Sequence, residues 1–314
     1  MKHKILPISI IYINEDMINQ RIDNFLKKKF KNVPKSMIYR IIRTGKIRIN
    51  KKRIKPDYKL KNGDQLKIPP IKIKCRKNNN ISIQNSEKKL LNNILYEDNY
   101  LLIINKPSGI AVHGGSGINH GIIESFRKLR PLEKYLELVH RIDKETSGIL
   151  MLAKKRMALI SLHEQIRDRK IKKEYIALVH GLWPENLKKI SQPLLKKKLN
   201  NTQKKVLVHA SGKFSETHFR IKKKYSLTTL LTAIPITGRT HQIRAHTLYA
   251  GHPILFDKRY GNHNLDLKIK HKNKLSRLLL HANSINFIHP KNGKNINIKA
   301  PLDLNLEKYL NALV

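Results

Sequence analysis

Residues 136–154, LELVHRIDKETSGILMLAK, decide how the rest of the chain is read. Their charged centre, His140-Arg141-Ile142-Asp143-Lys144-Glu145, lies between two apolar runs, 136–139 and 149–153. Short runs of Leu, Ile and Val predict buried strands, and Thr146-Ser147-Gly148 predicts a turn between them. A charged cluster on such a turn places Asp143 at the mouth of a rigid scaffold. Its carboxylate must there meet a cation or open on a cleft, because an unpaired buried charge is strongly disfavoured. On residue chemistry alone, a structural ion pair fits this cluster at least as well as a catalytic Asp.

Two further clusters lie downstream. In residues 238–246, GRTHQIRAH, Thr240 predicts the cap of a helix that runs to about Ala250 and stops at Gly251. Arg244 is one turn beyond that cap and is a candidate partner for Asp143. Residues 173–179, KEYIALV, alternate like a strand and put Tyr175 on one face with Ala177 and Val179. A Tyr so placed is ordinarily core, with its hydroxyl hydrogen-bonded.

The chain has 314 residues, enough for two domains, and 40% of them are hydrophobic, enough for an ordinary core. A single Cys excludes a disulfide framework and any Cys-built zinc or iron–sulfur site. His241 and His246 stand about 140° apart around a helix and do not share a metal ion. Thr44-Gly45-Lys46 lacks the upstream Gly of a phosphate-binding loop. His113-Gly114-Gly115-Ser116-Gly117 has the backbone to cradle a phosphate, although a Gly-rich turn explains it better. We therefore expect no metal and no organic cofactor. No apolar run is long enough to span a bilayer, which argues against a membrane partner. The Ile-rich start is interrupted by Pro7 and ended by Asn14-Glu15-Asp16, with no small-residue cleavage site, and reads as a strand in a cytoplasmic protein.

The formal net charge of +43 suggests a polyanionic partner, nucleic acid being the commonest. Lys, Ile and Asn also have AT-rich codons, so drift is the competing explanation. Residues 21–76 carry 20 Lys+Arg against 3 Asp+Glu. That is about 0.30 net charges per residue, against about 0.10 elsewhere, a contrast uniform drift would not produce.

This basic block reads as folded. From Asn19 to Phe30, the residues Ile22, Phe25, Leu26 and Phe30 share a helical face. Ser36 is a plausible cap for a second helix that buries Met37, Ile38, Ile41 and Ile42, presents Arg40 and Arg43, and ends at Gly45. Small strands follow, with turns at Asn50-Lys51 and Asn62-Gly63-Asp64. This α+β arrangement resembles the S4 RNA-binding domain; an unrelated small basic domain is the alternative. The expected division is an N-terminal strand or extension at 1–18, the S4-like module at 19–70, a linker at 71–86 and a catalytic domain at 87–314. The polar, Lys-rich stretch from His263 to Ser276 reads as a loop or poorly ordered insert.

Taken together, HRIDKETSG, KEYIALV, GRTHQIRAH and LLLHA (residues 278–282) form a motif set that resembles the RluA-type pseudouridine synthases over nearly the whole chain. The stretches RIDNFL, VPKSMIYRIIRTGKIRINKKRIKP and SLHEQIRD bring it closer to members that act on large-subunit ribosomal RNA. The resemblance implies an α+β fold: a mixed, largely antiparallel sheet behind the S4-like module. It implies an isomerase of uridine in 23S rRNA, acting at several uridines, with Asp143 as nucleophile or base. Arg244 would pair with Asp143, Tyr175 would stack on the target base, and Arg141 would fill the space left by the flipped uridine. Leu278, Leu279 and Leu280 would add apolar contact. The implied partner is large-subunit rRNA or its assembly precursor, bound by a monomer. The rivals are an inactive ribosome-assembly factor and a synthase of tRNA or small-subunit rRNA. DNA binding has no helix-turn-helix or zinc finger to support it.

Overall fold

The computed structural model describes residues 3–30, 33–74, 88–114, 120–198, 204–269 and 276–313. The chain divides into two units, 1–82 and 83–314.

In the first unit, Ile22, Phe25 and Leu26 are buried along helix α1 (Ile22–Lys29), and Ile38, Ile41 and Ile42 along helix α2 (Lys35–Arg43). Met37 is only half-buried, while Arg40 and Arg43 face solvent. Pro34, not Ser36, precedes α2: its carbonyl accepts from the N–H groups of Met37 and Ile38. Proline's fixed φ suits a helix start and brings no N–H that would need a partner. Strands β1 (His3–Leu6) and β2 (Ser9–Tyr12) come before the helices. After them come β3 (Arg48–Ile49), β4 (Lys52–Arg53), β5 (Gln65–Ile68) and β6 (Ile71–Lys74). A four-stranded sheet runs β2-β5-β3-β4, and β1 pairs antiparallel with β6. Residues 71–74, read above as the start of a linker, are thus a paired strand whose Ile71 joins the core. The remainder of that expected linker, 75–86, lies outside the described residues.

The second unit is built on a ten-stranded sheet. Its strands begin with β7 (Ile94–Glu97), β8 (Leu101–Lys106), β9 (Glu137–Leu138), β10 (Ser147–Ala153) and β11 (Lys172–His180). A separate hairpin, β13 (Leu194–Lys198) and β14 (Lys204–Val208), follows β12 (Lys189–Ser191). The rest of the sheet is β15 (Glu216–Lys224), β16 (Thr228–Pro235), β17 (Leu280–Ile288) and β18 (Asn295–Lys299). The order is β12-β15-β16-β11-β17-β10-β8-β7, with β18 beside β17 and β9 beside β10. Every pairing is antiparallel except β10 with β17, so the sheet is mixed and largely antiparallel, as expected.

That parallel contact holds only two residue pairs, Ser147 with His281 and Gly148 with Ala282. Gly148 has φ +102°, and a Cβ there would stand 2.2 Å from the Ala282 carbonyl oxygen. The positive φ and the close approach both require glycine. Ser147 and Gly148 therefore already belong to β10, and the turn falls earlier, with the Thr146 N–H on the Asp143 carbonyl.

Helices α3 (Ile122–Leu129) and α4 (Arg156–Arg167) pack their apolar sides near this sheet. Glu124 of α3 accepts from the N–H of Gly114, so part of the possible phosphate cradle is already occupied by protein; residues 115–117 lie outside the described ones. Helices α5 (Gln242–Tyr249), α6 (His263–Lys268) and α7 (Leu304–Asn311) complete the unit. The stretch expected to be a loop from His263 thus begins as a helix, because Asn262 accepts from the N–H groups of Asn264 and Leu265, and Asp266 is buried against His180 at 2.9 Å. Residues 270–275 lie outside the described ones. No helix among the described residues is long and apolar enough to cross a membrane.

Candidate active site

Asp143 sits on the segment between β9 and β10. Its Oδ2 accepts from Nη1 of Arg244 at 2.8 Å, across 101 residues of sequence. The pairing expected from the sequence is present, but it is half of the arrangement. Arg244 is buried, and its Nε and Nη2 donate to the two carboxylate oxygens of Asp257, each at 2.7 Å. Asp257 also accepts from the N–H groups of Arg259 and Tyr260. A bidentate contact of this kind fixes the plane of the guanidinium as well as its position. Burial works against the charge on Arg244, and Asp257 and Asp143 more than compensate, raising its pKa.

The turn that delivers α5 is held by Gln242. Its side-chain oxygen accepts from Thr237 Oγ1 and the N–H of Arg239, and its Nε2 donates to the Glu216 carbonyl and Thr217 Oγ1. Thr240 is not the cap. His241 precedes the first helical residue, in the left-handed region at φ +52°. That twist swings its ring into the site: Nε2 lies 3.6 Å from Asp143 Oδ2, and Nδ1 2.9 Å from the Tyr260 hydroxyl. Tyr260 also lies under the Arg244 guanidinium, 4.9 Å from ring centre to Cζ. Burial lowers the His241 pKa to about 4; Asp143 pulls it up, and Arg244 and Arg259 push it down. His246, its neighbour in the motif, faces away and is buried against Ser215 and Thr217.

Asp143 and Tyr175 line the same cavity of about 460 Å³. The register of the sheet explains the placement of Tyr175, because it stands opposite Ala282 of β17, which stands opposite Gly148 of β10. Those two positions beside the tyrosine ring hold only small residues. Its hydroxyl has no partner among the described residues, unlike the hydrogen-bonded core Tyr that strand position alone suggests. Burial raises its pKa, and the charge of Asp143 adds to the effect. Of the three leucines, Leu280 lines the cavity, whereas Leu278 and Leu279 are buried in the core behind it. Arg141 is exposed at the rim. Arg141, Arg167, Arg169, Lys173, Arg239 and Arg244 all line the space, and among the described residues Asp143 is the one carboxylate that does. Burial lowers the Lys173 pKa to about 8. Such a lining favours a polyanion.

Lys106 anchors the loop that carries Asp143. The buried Nζ donates to the carbonyls of Pro107, Ile110 and Lys144, at 2.8, 2.9 and 3.0 Å. Burial pulls its pKa down to about 7. The three carbonyls work the other way, since a neutral amine has only two N–H donors. Asp257, Tyr260 and Lys106 carry no signal in the sequence, and His241 was weighed there only as a metal ligand. Asp257 and Tyr260 sit in a polar turn, FDKRYG, that reads as a loop. No group of His, Cys, Asp and Glu that could hold a metal ion occurs among the described residues.

Comparison with known proteins identifies the family. A family model described as RNA pseudouridylate synthase matches residues 100–249, and an S4 domain model matches 20–66. The chain is 70% identical, over the full length of both chains, to ribosomal large subunit pseudouridine synthase C of Buchnera aphidicola subsp. Schizaphis graminum. It is 49% identical to the protein of the same name from Escherichia coli K12, covering 100% of this chain and 99% of that one. A solved structure of human RNA pseudouridylate synthase domain containing 4 shares the fold, with a TM-score of 0.58 at 24% identity, covering 72% of this chain and 94% of that one. The chain therefore belongs to the RluA-type RNA pseudouridylate synthases, isomerases of uridine, and carries an S4 domain ahead of the synthase domain.

Proposed function

We propose that this chain converts several uridines of 23S rRNA, free or within an assembly precursor, to pseudouridine. The relatives that match along the whole chain bear a large-subunit name, and that supports the substrate. The observation that carries the chemistry is Asp143, paired through Oδ2 with Arg244 and facing a cavity lined by Tyr175. The N1–C1′ bond of the uridine breaks, the base turns, and a C5–C1′ bond forms; the C5 proton leaves and N1 takes one up. No electrons enter or leave, so the step calls for no oxidant or reductant.

Asp143 acts as nucleophile or as the base that takes a ribose proton. Arg244 supplies its counter-charge and fixes its direction. Removing the base from its stack costs a few kcal/mol. Stacking on Tyr175 returns about 1–3 kcal/mol of this, and Arg141 at the rim fills the gap left in the RNA. The S4 unit adds phosphate and shape contacts that do not depend on sequence. The chain works as a monomer in the cytoplasm.

Mapping pseudouridine in the RNA of cells that lack the gene tests the substrate. Several 23S positions lose the modification, and wild type restores them where Asp143→Asn does not. Loss from tRNA or small-subunit rRNA instead would replace the substrate. Unchanged modification with defective large subunits would favour an assembly role.

A further inference from the structure

Both groups that approach Asp143 do so at the same oxygen. Arg244 Nη1 is 2.8 Å and His241 Nε2 is 3.6 Å from Oδ2, while Oδ1 has no partner among the described residues. The side chain of Asp143 is 19% exposed and lines the cavity.

The protonation of His241 can be worked out from its neighbours. Tyr260 is 2% exposed, and its hydroxyl oxygen already accepts from the Val206 N–H at 2.9 Å. Its own proton needs an acceptor, and His241 Nδ1, at 2.9 Å, is the acceptor the structure offers. Nδ1 is thus unprotonated and the ring proton is on Nε2, the nitrogen that faces Asp143. The left-handed backbone at His241 and the hydrogen bonds of Gln242 hold the ring there.

We infer that His241 is a positioning residue: with Tyr260 fixing its tautomer, its neutral Nε2–H covers Asp143 Oδ2 beside Arg244, so that Oδ1 is the oxygen offered to the bound uridine. Tyr260 is the shared support, hydrogen-bonded to His241 and stacked against Arg244. A neutral donor suits the place. An imidazolium would bring a second positive charge beside Arg244 and draw the carboxylate away from the substrate. The inference rests on the proposed role of Asp143. The charged and titratable groups facing the ring are Asp143, Arg244, Arg259, Asp257 and Tyr260.

The test uses the full-length protein and a 23S rRNA transcript under single-turnover conditions. His241→Ala slows the isomerisation step by roughly 10- to 100-fold, the scale of a misplaced reacting group, and leaves RNA affinity within about twofold. His241→Gln, whose amide N–H reaches the place of Nε2, recovers most of that loss; a bystander that only fills space would gain nothing from the amide. Nitrogen-15 spectra of wild type at pH 7 give the Nε2–H tautomer for His241, and Tyr260→Phe replaces it with a mixture or with an imidazolium. Wild-type rates in His241→Ala, or an Nδ1–H or charged ring in wild type, would overturn the inference. The spectra keep it testable if the Ala variant does not fold. Activity surviving in Asp143→Asn would instead overturn the reading of Asp143 itself.

Discussion

Asp257 touches no substrate in this account, yet the direction of Arg244 depends on it. Burial pushes its carboxyl up, and Arg244 with the N–H groups of Arg259 and Tyr260 more than offsets this, holding it below the usual carboxylate range. The stability it contributes is complete above about pH 4, where the unfolded chain's Asp is ionised. It is lost as the pH falls through the lowered folded value. Asp257→Asn leaves a buried guanidinium half-paired and costs about 3–5 kcal/mol at neutral pH. Denaturation curves measure the loss, and the variant's stability also falls less steeply below pH 4 than that of wild type. Asp143, Tyr175 and Arg244 could be named from the sequence because each sits in a motif of the resemblance, and all three line one cavity. Asp257 and Tyr260 could not, because a carboxylate in a polar turn announces itself as functional only when the fold brings a buried Arg onto it.

The site stands where β10 and β17 meet for two residue pairs. The Gly148 backbone and the Ala282 carbonyl are too close for any side chain between them. Gly148→Ala puts a Cβ into that carbonyl at a φ that L-residues avoid, and costs about 3 kcal/mol or more. Thermal unfolding measures the loss, and activity falls with it because Asp143 leads into this strand. The alternation of KEYIALV made β11 legible, and the apolar run after Gly148 made β10 so. Two other elements were not: β6 was concealed in a Lys-rich stretch, and α6 in a polar one, because each is held by a partner distant in sequence. Thr240 and Ser36 were good cap residues on propensity, but the left-handed His241 and the carbonyl of Pro34 took their places.

Across the whole molecule the charge is uneven, and residues 21–76 hold 20 Lys+Arg. Arg40 and Arg43 lie exposed on α2, whose other side is core. Both are expected to sit on RNA phosphates. Replacing them with Ala weakens RNA binding and lowers the slope of log affinity against log salt by about 0.7–0.9 for each phosphate no longer neutralised. Isomerisation at saturating RNA stays within about twofold, and an unchanged slope would remove α2 from the RNA surface. The concentration of charge was legible from counting alone, and the S4 resemblance gave it a fold.

The most direct measurement is tritium release from large-subunit rRNA transcribed with 5-³H-uridine, with wild type beside Asp143→Asn. Wild type alone releases tritium, while both proteins bind the RNA equally. Release by Asp143→Asn at the wild-type rate would remove Asp143 from the chemistry.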